Sequence, residues 1–193
     1  MKIILASKSL IRKEILERNN VSCIVVPSNV DEDQVKNSLL AVGANPTLIS
    51  KNLAELKSIK VSSKHQDQLV LGADSVISLN DELINKPNTR EEGLKILKKL
   101  NGSVHYLITS VCISKNGAMI WNFTDSSELK MKRLSDEELG DYLKKIKTDI
   151  LLAYGVYQIE AGGLELFSSV KGDISSIMGL PIKQVIDYIK LVS

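Results

Sequence analysis

Apolar residues along the chain fall into short runs and helix-spaced stripes separated by polar turns. Residues 3–6 are an unbroken apolar run, the pattern of a buried strand. The run leads into Ser7-Lys8-Ser9 and then a helical spacing that carries Ile11, Ile15 and Leu16. Residues 22–26 read as a second strand, ended by Pro27. Asn45-Pro46 is a helix start, with proline at the first helical position, where its missing N–H costs nothing. The helix that follows is expected to bury Ile49, Leu53 and Leu56 on one face. Residues 69–77 are strand-like, broken only by Gly72, Asp74 and Ser75. Thr89-Arg90-Glu91-Glu92 reads as a capping box that opens a helix to Leu100, and Asn101-Gly102 stops it.

Two longer strands follow, 104–114 and 118–131, joined by Asn116-Gly117, the favoured turn of a hairpin. Ser135-Asp136-Glu137-Glu138 is a second capping box, and its helix spaces Leu139, Tyr142, Leu143 and Ile146 on one face. A glycine-rich stretch, 155–163, precedes a strand over 164–170. The chain closes with a helix after Pro181, with Ile182, Val185, Ile186 and Ile189 on one side. This alternation predicts an α/β fold, a mixed twisted sheet flanked by helices, as one unit over 1–193 with the late strands forming a second lobe.

Composition narrows the function classes. The formal net charge is only +2, so the chain as a whole makes no electrostatic case for nucleic acid or a membrane surface. Aromatics are 4%, too few for a base-stacking platform. No apolar stretch approaches the roughly 20 residues of a membrane helix, and the opening run is too short for a signal-peptide core. Cys23 and Cys112 form no CxxC or zinc spacing and read as reduced thiols. A cytoplasmic protein is expected.

Four groups of residues carry candidate chemistry. Lys8, Ser9, Arg12 and Lys13 fall where a helix starts, and cations there oppose the positive end of the helix dipole. The cluster is either built for an anion or is a solvated basic face balanced by Glu14 and Glu17. Asp74 ends an apolar run, where active-site carboxylates collect in α/β sheets; it is a candidate general base or Mg²⁺ ligand, or a turn aspartate bonded to its own backbone. Asp31-Glu32-Asp33 offers hard oxygen ligands, or is the acidic start of a helix. Lys57 and Lys86 are candidate phosphate ligands or surface lysines, and Pro87 holds Lys86 extended. His65 and His105 make no metal pair; His65 reads as loop and His105 as strand.

Taken in order, these residues resemble the Maf family of nucleotide pyrophosphatases. Residues 4–13, Ile-Leu-Ala-Ser-Lys-Ser-Leu-Ile-Arg-Lys, look like its LASxSPRR start. Val30-Asp31-Glu32, Leu53-Ala54-Glu55-Leu56-Lys57, Gly72-Ala73-Asp74-Ser75 and Lys86-Pro87 look like its vDE, LAxxKA, GADT and GKP elements. Residues 97–105 look like LxxLsGxxH, and Gly172-Asp173 with Gly179-Leu180-Pro181 like GDy…GLP. The resemblance implies an α/β fold related to inosine triphosphatases, with a cleft between two lobes. It implies hydrolysis of a nucleoside triphosphate to monophosphate and pyrophosphate in the presence of Mg²⁺ or Mn²⁺. Asp74 would be the general base, and Glu32 with Asp74 would place the metal. Ser9, Arg12, Lys13, Lys57 and Lys86 would bind the substrate. It also suggests a homodimer.

Three positions resemble those linked to base choice in the family: Ile11, which stands where the family has its first arginine, Ser75 and Glu160. They move the chain away from the dTTP/UTP pattern and toward the subgroup that resembles 7-methyl-GTP pyrophosphatases. A glutamate accepts two N–H bonds from a guanine edge, so Glu160 points to a purine. The alternative to an enzyme is a non-catalytic, nucleotide-binding regulator of cell division and septum formation.

Overall fold

The computed structural model describes residues 2–159 and 162–192. The chain opens with β1 (Lys2–Leu5), α1 (Leu10–Arg18), β2 (Ser22–Val25), α2 (Glu32–Ala41) and α3 (Pro46–Ser62). Then come β3 (Val70–Leu79), β4 (Glu82–Ile84), α4 (Arg90–Leu100), β5 (Val104–Lys115) and β6 (Ala118–Met131). It ends with α5 (Asp136–Lys145), α6 (Thr148–Tyr154), β7 (Phe167–Lys171), α7 (Ile174–Ile177) and α8 (Ile182–Leu191). The α/β class with a mixed sheet is as expected.

The sheet runs β2-β1-β3-β5-β6-β7, with β4 also on β3. β1 is parallel to β2 and β3; the remaining pairs are antiparallel. β1 is buried on both faces, which is why it reads as continuous apolar sequence rather than alternation. Ile3 and Leu5 join a core with α1 and α8, whereas Ile4 and Ala6 face Val61 of α3. A third core gathers Leu97 and Leu100 of α4 with Leu139 and Leu143 of α5, Leu129, Phe167 and Tyr157. The sheet is thus padded by three groups of helices, α1 with α8, α3, and α4 with α5, and a cleft opens among them.

The feature that makes the cleft is the edge of β3. Ile4 and Leu5 of β1 pair with Val70 and Leu71, and β4 pairs on that same edge only from Ile77 onward. Along the other edge β5 pairs without a break from Val70 to Ser78. Between Leu71 and Ile77, then, β3 has a strand neighbour on one side only, and Asp74 sits in that gap.

Several local expectations need correction. Leu56 is 40% exposed, because the buried stripe of α3 turns through Ile49, Ser50, Leu53, Ala54 and Lys57. Thr89 caps α4 through Glu92 N, but the Glu92 carboxylate accepts from Asn88 N, so the reciprocal half of that capping box is missing. The box at Ser135 and Glu138 is complete. The strand expected over 164–170 starts with a 3-10 turn, Gly163–Leu166, and becomes β7 only at Phe167. Asn116 and Gly117 both have positive φ, 51° and 76°, as a hairpin turn of the expected kind requires.

Candidate active site

A cavity of about 480 Å³ occupies the cleft. Its walls come from the turn after β1, the loop before α2, the middle of β3, the β4–α4 connection, residues 153–159 and the end of α7. Among the described residues, five cationic side chains line it, Lys8, Arg12, Lys36, Lys57 and Lys86, against two carboxylates, Glu32 and Asp74. A nearly neutral chain has concentrated its positive charge here. The rest of the lining is largely apolar, including Ile84, Leu107, Val156, Tyr157 and Ile177.

Asp74 and Lys57 are brought together by backbone packing. An added Cβ at Gly72 would lie 2.2 Å from the Ala54 carbonyl oxygen, so only glycine lets α3 approach β3 this closely. Lys57 is one turn beyond Ala54, and Asp74 two residues beyond Gly72, on the same face of the strand. Lys57 Nζ then donates to Asp74 Oδ1 at 2.8 Å, and lies 2.8 Å from Glu32 Oε1. The Ser50 hydroxyl donates to the Asp74 carbonyl at 3.1 Å, fixing the backbone in the gap. Asp74 Oδ2 is buried and has no hydrogen-bond partner. A buried carboxylate oxygen without a donor is costly unless something else fills that role, such as water, a proton or a cation.

Glu32 is the first residue of α2, held there by the Asp31 cap, whose side chain accepts from Gln34 N. Burial pushes the Glu32 carboxyl up, but the charge and hydrogen bond of Lys57, with Lys86 and Lys36, outweigh it and leave it below the ordinary glutamate range. The acidic triplet is therefore both a helix start and part of the cavity: Asp31 caps, Glu32 faces Lys57, and Asp33 is turned to solvent.

Arg12 is the most heavily bonded cation. Its Nε donates to the Gly179 carbonyl at 2.8 Å, Nη1 to the Ala73 carbonyl at 3.0 Å and Ser7 Oγ at 3.2 Å, and Nη2 to Ser75 Oγ at 3.2 Å. Ala73 O is one of the carbonyls left unpaired by the gap in β3, so Arg12 completes the sheet edge. Burial pushes its pKa down, opposed by Asp74 and Glu32. The Ser75 hydroxyl lies 2.9 Å from Thr109 Oγ1, which itself donates to the Ser176 carbonyl at 2.8 Å. Since Thr109 has spent its proton, Ser75 must donate to it and accept from Arg12. This directed chain ties α1, β3, β5 and α7 together.

The other expected residues divide. Ser9 caps α1, accepting from Arg12 N at 3.4 Å, and lines the cavity with the positive end of that helix. Lys86 lines the cavity while its Nζ donates to the Ala153 carbonyl at 2.9 Å. Its ammonium is shifted down, first by burial, with Arg12 and Lys36 adding to the effect. Ile11 and Ser75 both line the cavity. Lys13 does not: it pairs with Glu17 at 3.5 Å on the outer face of α1 and is absent from the cavity wall. The helix turns Arg12 inward and Lys13 outward, a step of about 100° per residue. Glu160 lies outside the described residues. Two participants were given no role from the sequence: Ser7, part of the LASxSPRR-like run, whose hydroxyl receives Arg12 and Ser9 N, and Lys36, which no motif marks. A small residue in a strand-to-helix turn and one more surface-like lysine look ordinary until the fold closes over them.

Among the described residues, no group of three or more His, Cys, Asp and Glu side chains converges as a metal cage would. Two carboxylates with an open oxygen suit instead a hard divalent ion that takes its remaining ligands from water and substrate phosphates.

Comparisons with known proteins show which sequences the chain is similar to. A nucleoside triphosphate pyrophosphatase of Pelagibacter ubique is 58% identical over 190 residues, covering 98% of this chain and 97% of its own. One from Ruegeria pomeroyi is 36% identical over 98% of this chain and 95% of its own. A 7-methyl-GTP pyrophosphatase of Brucella abortus is 32% identical over 94% of this chain and 92% of its own. The family description "Maf-like protein" matches residues 2–192, and the chain belongs to that family.

Proposed function

We propose that the chain is a nucleoside triphosphate pyrophosphatase that cuts between the α- and β-phosphates. One observation carries this reading: Asp74 Oδ2, buried and unpartnered in a cavity that holds five cations. The relatives' names supply the reaction, and the cavity supplies suitable groups. Asp74 Oδ2 takes a proton from a water as its oxygen attacks the α-phosphorus. The α–β bridging bond breaks, its electron pair leaves with pyrophosphate, and the nucleotide remains as the monophosphate. Lys57 holds the other oxygen, Oδ1, so that Asp74 stays oriented with Oδ2 toward the cavity.

Glu32, with Asp74, would hold Mg²⁺ or Mn²⁺, which when bound neutralises phosphate charge. Lys86 and the start of α1 at Ser9 serve the same triphosphate. Arg12 contributes its charge, but its donors are largely committed to protein carbonyls and hydroxyls. The apolar part of the lining accepts the base. We propose a purine nucleotide, with 7-methyl-GTP as the leading case. The Brucella relatives named for that substrate and the apolar Ile11 on the cavity wall support the choice.

The test is product analysis. Incubating dTTP, UTP, CTP, GTP and 7-methyl-GTP with Mg²⁺ or Mn²⁺ should yield the monophosphate and pyrophosphate, fastest from 7-methyl-GTP. Release of inorganic phosphate and a diphosphate would place the cut elsewhere and sink the reading.

A further inference from the structure

The cations in the cleft are not equally free to meet a substrate. Lys57 is held by two carboxylates, Arg12 by four acceptors and Lys86 by a backbone carbonyl. Lys8, the fifth, is exposed to solvent, and Lys36 differs from all four. Its side chain is only 13% exposed, yet its one ion-pair partner among the described residues is Asp33, 3.9 Å away and 91% exposed. Such a pair is worth little, because water screens the aspartate and the distance is at the limit of contact. An ammonium largely withdrawn from water, with so weak a contact partner and otherwise only the field of Glu32, is expensive to keep unless a further anion meets it.

Its position says which anion. Lys36 is one helical turn beyond Glu32 on α2, so both point from the same face, and both line the cavity. Its charge is felt by Glu32, which it helps to keep ionised, and by Lys86, which it helps to push down. It therefore sits among the groups that would surround a polyphosphate, with no hydrogen bond spent on the described residues.

We propose that Lys36 is the cation that binds the departing pyrophosphate, acting as a point charge on the β- and γ-phosphates of the bound nucleotide. This rests on the pyrophosphatase reading above. The β- and γ-phosphates carry their charge both in the bound nucleotide and in the departing pyrophosphate, and they need a donor not already committed to the protein, which Lys36 has. Its role is binding rather than proton transfer, so its loss shows more in KM than in kcat.

The experiment compares wild type with Lys36→Gln, Lys36→Arg and Asp33→Asn. Calorimetry with inorganic pyrophosphate and Mg²⁺ reads binding without turnover, and steady-state kinetics reads KM and kcat for the best nucleotide. Lys36→Gln should weaken pyrophosphate binding and raise KM, each about tenfold, with a smaller fall in kcat. Binding of the nucleoside monophosphate should not change. Lys36→Arg should restore most of the loss, and Asp33→Asn should have no effect. Unchanged pyrophosphate affinity in Lys36→Gln overturns the proposal, as does an equal loss of monophosphate binding, which would mark a general disturbance of the cleft. The two readings fail separately. A wild type that binds pyrophosphate but cleaves no nucleotide removes the enzyme and leaves the binding comparison to decide Lys36. An active wild type beside a Lys36→Gln variant with unchanged KM and unchanged pyrophosphate affinity removes Lys36 alone.

Discussion

Lys57 reaches Asp74 at 2.8 Å because Gly72, two residues before the aspartate, lets α3 lie against β3. The ion pair that organises the cleft is therefore set by the absence of a side chain elsewhere. Gly72→Ala is expected to destabilise the protein by about 3 kcal/mol, the upper range for overpacking, since a backbone carbonyl rather than a flexible tip must move. Residual folded protein should turn over more slowly, because α3 carries Lys57 away from Asp74. Chemical denaturation with parallel kinetics checks both effects. Wild-type stability in the variant would show that α3 does not rest on Gly72.

Lys57→Met should strand Glu32 and Asp74 without their cation. Breaking a buried pair from one side costs about 3 kcal/mol. Lys57 holds the Glu32 carboxyl below the ordinary glutamate range, so the part of the stability that comes from this pair is present at neutral pH and lost as the pH falls through the Glu32 pKa; the loss in Lys57→Met should shrink there, and denaturation at two pH values tests the assignment.

Lys13→Ala should change little. Its pair with Glu17 is exposed and spans one helical turn, worth about 0.3 kcal/mol. KM and kcat are expected at wild-type values. A marked rise in KM would return Lys13 to the substrate-binding set.

His105 gives a pH dependence of stability. It is fully buried, its Nε2 lies 2.9 Å from Tyr157 Oη, and its Nδ1 has no partner. Burial lowers its pKa from 6.5 to about 4. The folded state thus resists protonation that the unfolded state accepts. The stability is fully present above pH 6.5 and is lost as the pH falls toward 4, by about 3 kcal/mol for this shift. His105→Phe should flatten that part of the profile in a urea series across pH 4–7. An equally steep profile in the variant would assign the acid sensitivity to other groups.

What could be read from the residues alone follows from how local each cause is. β1 and the 104–131 hairpin were legible because an apolar run and an Asn-Gly turn carry their own instructions. Asp74 stood out as a carboxylate in a strand. The gap in β3 that gives it room depends on where β1 stops and β4 begins, and no single segment encodes that. The same holds for the direction of side chains at the start of α1, where adjacent Arg12 and Lys13 have opposite fates. Arg12 resembles a phosphate ligand by position, but four of its acceptors come from residues between 5 and 167 positions away. Lys36 was invisible for the converse reason: its isolation from partners exists only in the folded cleft. The short elements β4, α6 and α7 carry too few residues for a periodic signal.

The most direct test of the central claim is pyrophosphate release from the nucleotide panel with Mg²⁺ or Mn²⁺, with wild type beside Asp74→Asn. The substitution keeps the shape and the oxygen facing Lys57 but removes the basic Oδ2. Release by wild type, with a loss of about a thousandfold in a variant that stays folded and still binds nucleotide, is the predicted result. Equal release by both proteins would contradict the role of Asp74, and no release from any nucleotide by a folded wild type would contradict the pyrophosphatase reading itself.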